Sequence, residues 1–263
     1  MLGDNEGFVP LSAADPTLTT VQDALPIAAS RSLPSPEDAS ATRVSEEHLS
    51  FDAPLANPGK LWGIGLNYED HAADLDEQRP TEAASFMKPT TAATGPGGPI
   101  RLPPRDMTDR VTAEAELALV IGRTCSAIGS VDEVDEVVAG YVPVIDMTAE
   151  DILERNPRFL TRAKSFDSFL VFGSSLLTTD EIGSLSEVRV STIVDDEIAA
   201  NNTVQNMMVS PRELVEFHSQ VMTLEPGDVI STGTPGAKQI RPGDRVTGAI
   251  DRVGSVTADV VRR

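Results

Sequence analysis

The chain has 263 residues and carries 41 Asp and Glu against 21 Lys and Arg, a formal net charge of −20. So acidic a chain does not coat a phosphate backbone or an anionic membrane, which excludes nucleic-acid and membrane partners. At 40% apolar residues it is not disordered either.

Residues 1–58 are rich in Ser, Ala, Pro, Asp and Glu and show little periodicity. They read as a small, variable N-terminal domain or extension, with 59–263 as the main domain. The first residues carry neither the basic nor the apolar segment of a signal peptide, and no apolar run is long enough to span a bilayer. From Lys60 onward short β-rich runs alternate with Gly and Pro. The pattern predicts strands over 61–65, 114–122, 141–146, 188–194, 228–232, 245–250 and 256–262. Asn67 to Asp76 reads as a short helix. Residues 89–104 hold three Gly and five Pro and read as a long ordered loop. Cys125 is the one cysteine, so no internal disulfide forms, as expected of a reducing cytoplasm. Thr148-Ala-Glu-Asp151 opens a short helix that stops near Asn156-Pro157. Ser210-Pro211-Arg212-Glu213 opens another, with Ser as N-cap, Pro at the first position and Glu closing a capping box. Leu214, Val215, Val221 and Met222 form its apolar stripe. Pro-Gly-Asp occurs twice, at 226–228 and 242–244, each time as a turn into a strand. Many strands, few helices and no βαβ alternation argue against a parallel doubly wound sheet.

Several residues have the chemistry of a site. In a strand, Glu114 and Glu116 share one face, where two carboxylates repel unless a cation sits between them. The pair reads either as a divalent-metal site or as the solvent-facing edge of an amphipathic strand. Asp146, expected at a strand's end before a helix start, reads either as a third ligand or as a helix cap. Three carboxylates without a Cys or His cluster select a hard cation, Mg²⁺, Mn²⁺ or Ca²⁺. His71 and Asp74, three apart on the expected helix, suit a general base with its orienting acid, or an exposed helical pair. His218 lies on the apolar stripe and reads as a satisfied core histidine. Where lysine is so scarce, Lys88 and Lys164 are candidates to neutralise an anionic substrate, or chance survivors. The loop Ser231-Thr-Gly233-Thr234-Pro-Gly236 offers hydroxyls and backbone N–H groups that suit a substrate carboxylate, or forms a plain turn.

These pieces occur together and in order. On Gly63 to His71, Phe86-Met-Lys-Pro89, the loop to Leu102-Pro103, Glu114-Ala-Glu-Leu117, Gly140 to Asp146, Ala163-Lys-Ser-Phe-Asp167 and Pro226 to Pro235, the chain resembles the fumarylacetoacetate hydrolase family in its catalytic C-terminal domain. The resemblance implies a mixed α/β, β-rich fold, a rolled β-sandwich with a few short helices, assembled as a homodimer. It implies a Mg²⁺ or Mn²⁺ site at Glu114, Glu116 and Asp146. It further implies substrate-facing Lys164, carboxylate-holding Thr234, and a His71 dyad on a mobile lid in which Asp74 replaces the commoner Glu. Glu150 and Leu153 stand where many relatives that act on acylpyruvates have an Arg and a Gln against the substrate's carboxylate. The expectation is a cytoplasmic, metal-dependent C–C bond hydrolase or isomerase acting on 2-oxo or 2-hydroxy-enoic acids. The alternatives are a 2-keto-3-deoxy sugar acid dehydratase and a catalytically weak relative that binds a metabolite. Abundant carboxylates with few lysines read as adaptation to high salt, or as an ordinary acidic cytoplasmic composition.

Overall fold

Two long neighbouring strands, Val111–Ile121 and Val138–Ala149, organise the molecule, and every residue in both is buried. The computed structural model describes residues 1–4, 6–69 and 80–262. The two strands pair antiparallel, with Glu114 opposite Asp146 and Thr112 opposite Thr148. Around them a nine-stranded mixed sheet is built, running from Ala84–Lys88 at one edge through Leu61–Gly65, Val229–Ser231 and the central pair to Leu170–Phe172 and Ala93–Thr94. A second sheet of five strands runs from Glu197–Thr203 through Arg189–Val194, Arg245–Ile250 and Gly254–Arg262 to Ile100–Leu102. The strand content, curled sheets and few short helices are those of the mixed, β-rich sandwich expected from the sequence.

Side-chain alternation along the central pair divides labour between the two faces. Ala115, Leu117, Leu119 and Ile121 point inward and pack with Val190 and Ile250 of the second sheet. Ile145, Met147 and Ala149 do the same with Val246 and Val256. The two sheets are also tied by the Ala115 amide, which donates to Thr192 Oγ1 at 2.9 Å. On the opposite face Ala118, Val120, Val142 and Val144 pack with Leu25 and Ala28 of the N-terminal helix Val21–Ala29. That helix opens with a capping box between Thr20 and Asp23. Further along this same outer face the alternating positions become Glu116, Glu114, Thr112, Asp146 and Thr148. One face of one strand pair is therefore apolar at one end and a dense polar cluster at the other.

The structure corrects several boundaries. The strand expected over 141–146 continues to Ala149, so Asp146 lies inside the ladder and not at its end. The helix expected from Thr148 starts at Glu150, with Ala149 before it and no side-chain cap. Thr148 cannot cap because its hydroxyl donates to Glu114. The 89–104 stretch is less of a loop than expected, since Ile100–Leu102 pairs parallel with Gly254–Arg262 and Ala93–Thr94 with Leu170–Phe172. The capping box at Ser210 and Glu213 is formed and Leu214 and Val215 are fully buried, but Val221 is 58% exposed and leaves the stripe. Both Pro-Gly-Asp turns lead into strands, with Gly227 at φ 92° and Gly243 at φ 101°, where a side chain would be strained. Most of the helix expected over 67–76 lies outside the described residues.

Candidate metal centre and active site

Glu114, Glu116 and Asp146 converge, each offering a carboxylate oxygen within 4.8 Å of the others, and all three are buried. Strand alternation brings Glu114 and Glu116 to one face, and the antiparallel register sets Asp146 directly across from Glu114. Ion pairs hold the cluster together. Lys164 Nζ donates to Glu114 Oε2 at 2.8 Å and to Asp146 Oδ2 at 3.2 Å, and lies 5.0 Å from the centre of the Phe86 ring. Lys88 Nζ sits 2.6 Å from Asp146 Oδ1 and donates to the carbonyls of Lys164 and Phe169, the latter at 2.8 Å. Two of the chain's four lysines are thus buried against three carboxylates.

The electrostatics follow from burial and mutual repulsion. Removal from water, with Asp146 and Glu114 close by, pushes Glu116 up to about 8, although Lys164 and Ser231 pull it down. Burial works against the Lys164 ammonium, but Asp146, Glu114 and Glu116 outweigh it and hold Lys164 above the usual lysine range. At Lys88 burial prevails and the pKa falls. Burial, with the charge of Glu116 added, drives the Tyr68 hydroxyl upward.

The Ser231–Gly236 loop binds a carboxylate, and that carboxylate belongs to Glu116. Ser231 Oγ and the Gly233 amide donate to Glu116 Oε2 at 2.6 and 2.8 Å. Gly233 has φ 92°, and a Cβ there would stand 2.9 Å from Asn67 Cβ and 3.0 Å from the Ile64 carbonyl oxygen. Thr234 is buried, and its hydroxyl donates to the Gly236 carbonyl at 3.0 Å. Asn67 pins this loop to the Val209 segment: its Nδ2 donates to Thr232 O at 2.7 Å and Val209 O at 2.9 Å, while its Oδ1 accepts from the Val209 amide at 2.9 Å. His71 and Asp74 lie outside the described residues. His218 is a core residue, as expected. It is fully buried, with Nδ1 2.6 Å from the Leu214 carbonyl and its ring 4.6 Å from that of Trp62, but its Nε2 has no hydrogen-bond partner among the described residues.

Two site residues were not expected from the sequence: Thr148, which read only as a helix opener, and Thr112. Both hydroxyls donate to Glu114 Oε1, Thr112 at 3.2 Å, and Thr112 also lies 3.0 Å from Glu150 Oε1. Their signal was available: each stands two residues from a site carboxylate on the same strand face. Leu153 is half-buried and packs on the second core cluster.

The donor set suits a hard divalent cation. All three ligand groups are carboxylates, no sulfur or imidazole among the described residues joins them, and hydroxyl, amide and ammonium donors already fix their orientation. Among the described residues no helix is long and apolar enough to cross a membrane.

Comparison with known proteins agrees with this geometry. The family model of the fumarylacetoacetate hydrolase C-terminal domain matches residues 60–261. The chain is 32% identical to a mitochondrial oxaloacetate tautomerase of Xenopus laevis, over 99% of this chain and 84% of that protein. It superposes with a TM-score of 0.76 on 5-carboxymethyl-2-hydroxymuconate delta-isomerase from Mycobacterium smegmatis, at 33% identity over 86% of this chain and 87% of that one. The maleylpyruvate hydrolase of Sphingobium sp. SYK-6, solved with manganese(II) and pyruvate, gives a TM-score of 0.72 at 30% identity over 84% of this chain and 77% of that one. By fold, by motif order and by its carboxylate triad, the chain belongs to the fumarylacetoacetate hydrolase family.

Proposed function

We propose that this chain is a Mg²⁺- or Mn²⁺-dependent enzyme acting on a 2-oxo or 2-hydroxy-enoic acid, as a C–C bond hydrolase or an isomerase. The observation that carries the proposal is the buried triad Glu114, Glu116 and Asp146 joined by Lys164. A divalent ion held by the triad would supply Lewis acidity toward the oxygens of a 2-oxo acid. The Sphingobium hydrolase, solved with manganese(II) and pyruvate, supports this choice of ion and of substrate class.

The chain's own residues divide the remaining work. Lys164 is a fixed cation at the cluster and offsets negative charge that develops on the substrate. Lys88 holds Asp146 from behind, through contacts that leave its ammonium buried. Ser231 and the Gly233 amide hold Glu116. Thr234, at the end of the same loop, is assigned to the substrate's carboxylate. His71, oriented by Asp74, is assigned to moving a proton or activating water. We assign residues 1–58 as a variable extension, and the chain as a cytoplasmic homodimer with a small anionic substrate.

The test is a screen of maleylpyruvate, fumarylpyruvate, oxaloacetate and 5-carboxymethyl-2-hydroxymuconate with Mn²⁺, Mg²⁺ or chelator. Metal-dependent turnover of at least one, lost in Glu116→Ala together with bound metal, supports the reading. Bound metal and turnover that both survive Glu116→Ala overturn it.

A further inference from the structure

We propose that Glu150 is a specificity-determining residue that turns this site away from a second carboxylate and toward 2-oxo acids whose far end carries hydroxyl groups; the proposal rests on the 2-oxo acid reading above. Glu150 is the first residue of the helix Glu150–Arg155, which continues directly from the strand that carries Asp146. Asp146 and Thr148 share the site face of that strand, and Glu150 comes next in the same alternation. The Thr112 hydroxyl lies between two carboxylates, 3.2 Å from Glu114 Oε1 and 3.0 Å from Glu150 Oε1. Glu150 therefore stands one hydroxyl away from the triad. It is only half-buried, whereas Glu114, Glu116 and Asp146 are buried, so it forms the open margin of the cluster.

Among the described residues, the neighbouring cations are committed elsewhere. Among the described residues, Glu114, Lys164 and Arg110 lie close enough for their charges to act on Glu150. Lys164 is bonded to Glu114 and Asp146. Arg110 is paired with Glu154, and only its backbone carbonyl meets Glu150, accepting from the Glu150 amide at 2.9 Å. A second carboxylate arriving at this margin would face Glu150 with neither cation disengaged to receive it, and like charges in a partly desolvated site are costly. A hydroxyl has the opposite fit. Thr112 has a single hydrogen to share between Glu114 and Glu150, so Glu150 keeps acceptor capacity that a substrate O–H can fill.

The experiment compares two 2-oxo acids of equal chain length, 2-oxoglutarate and 5-hydroxy-2-oxopentanoate, with pyruvate as the tail-less reference. Binding to Mn²⁺-loaded full-length protein is measured by calorimetry for the wild type and for the isosteric variant Glu150→Gln. The wild type is expected to bind the hydroxylated acid at least about tenfold tighter than the dicarboxylate. In Glu150→Gln that ratio is expected to shrink to roughly threefold or less, through recovered dicarboxylate binding. A wild type that prefers the dicarboxylate, or a ratio unchanged by the substitution, overturns the role of Glu150 while pyruvate binding leaves the 2-oxo acid reading standing. Failure of the Mn²⁺-loaded wild type to bind any of the three overturns that reading and this proposal with it.

Discussion

Glu116→Gln should make the metal-free protein more stable and the metal-bound protein impossible. The buried Glu116 carboxyl is held at about 8, far above the 4.5 of an unperturbed glutamate. The folded chain therefore keeps a proton that the unfolded chain has released between those two values. A state that binds more protons is favoured at low pH, so the native state loses stability as pH climbs from about 4.5 to about 8. Each pKa unit is worth about 1.4 kcal/mol, which puts the cost of ionising Glu116 on the order of 5 kcal/mol at most. Relaxation of the cluster around the charge lowers the observable effect to roughly 2–3 kcal/mol. Glutamine has the same shape, its oxygen can still accept from Ser231 and Gly233, and its amide can donate toward Asp146 or Glu114. In metal-free urea melts the variant should gain about 2 kcal/mol over wild type at pH 8, with the difference vanishing below about pH 5. Saturating Mn²⁺ should stabilise the wild type and leave the variant unmoved. The same proton must leave when a cation binds, so wild-type Mn²⁺ affinity should fall roughly tenfold per pH unit below about 8. Equal stability of the two proteins at pH 8, or stabilisation of the variant by Mn²⁺, refutes the electrostatic account of the centre.

Three further outcomes follow from particular contacts. Gly233→Ala forces a Cβ at φ 92° to within 2.9 Å of Asn67 and 3.0 Å of the Ile64 carbonyl; a loss of about 1–3 kcal/mol in denaturant melts and weaker Mn²⁺ binding are expected, and unchanged Mn²⁺ affinity would show that the loop does not hold Glu116. Lys88→Met leaves buried Asp146 with Lys164 as its one remaining ammonium partner and should cost about 2–4 kcal/mol, with part of the loss recovered by saturating Mn²⁺; a cost below about 1 kcal/mol would rule out its role beside Asp146. Raising KCl from low to molar concentration should raise the melting temperature of this chain of net charge −20, and a stability optimum at low salt would count against adaptation to high salt.

How legible the site was depended on the range of the interactions that build it. The Glu-x-Glu spacing is a local fact, and strand geometry alone puts Glu114 and Glu116 on one face. The capping box at Ser210 is equally local and forms as read. Asp146 was found for a reason the structure replaces: the sequence suggested a strand end, whereas the residue sits mid-ladder, opposite Glu114. Its position comes from register, which depends on a partner 32 residues away along the chain. The polar pair Thr112 and Thr148 looks like strand termination in isolation, yet each hydroxyl is satisfied within the cluster, so the ladder runs on to Ala149. Lysine scarcity singled out Lys88 and Lys164 but could not distinguish a cation that faces the triad from one held against backbone carbonyls. The Ser231–Gly236 loop was read as a carboxylate binder, but nothing in its own sequence names the carboxylate. That too is a long-range fact, since Glu116 reaches it across the sheet.

The overall charge and the centre obey different constraints. On the surface, net charge acts as diffuse self-repulsion that salt screens. Within the cluster, three carboxylates face two ammonium groups, and burial first, then repulsion from Asp146 and Glu114, makes Glu116 hold its proton. A divalent cation displacing that proton would turn the three-carboxylate, two-lysine set from neutral to one net positive charge. A monocarboxylic 2-oxo acid would then bring the set to neutrality, the condition under which burying charge costs least. A second carboxylate would overshoot neutrality, and it would do so at the margin where Glu150 already contributes an anion. The charge count and the position of Glu150 thus disfavour the same class of substrate. Comparing Mn²⁺-dependent binding of mono- and dicarboxylates in Glu150→Gln separates the two contributions. The part of the preference that survives removal of the Glu150 charge belongs to the triad and its lysines.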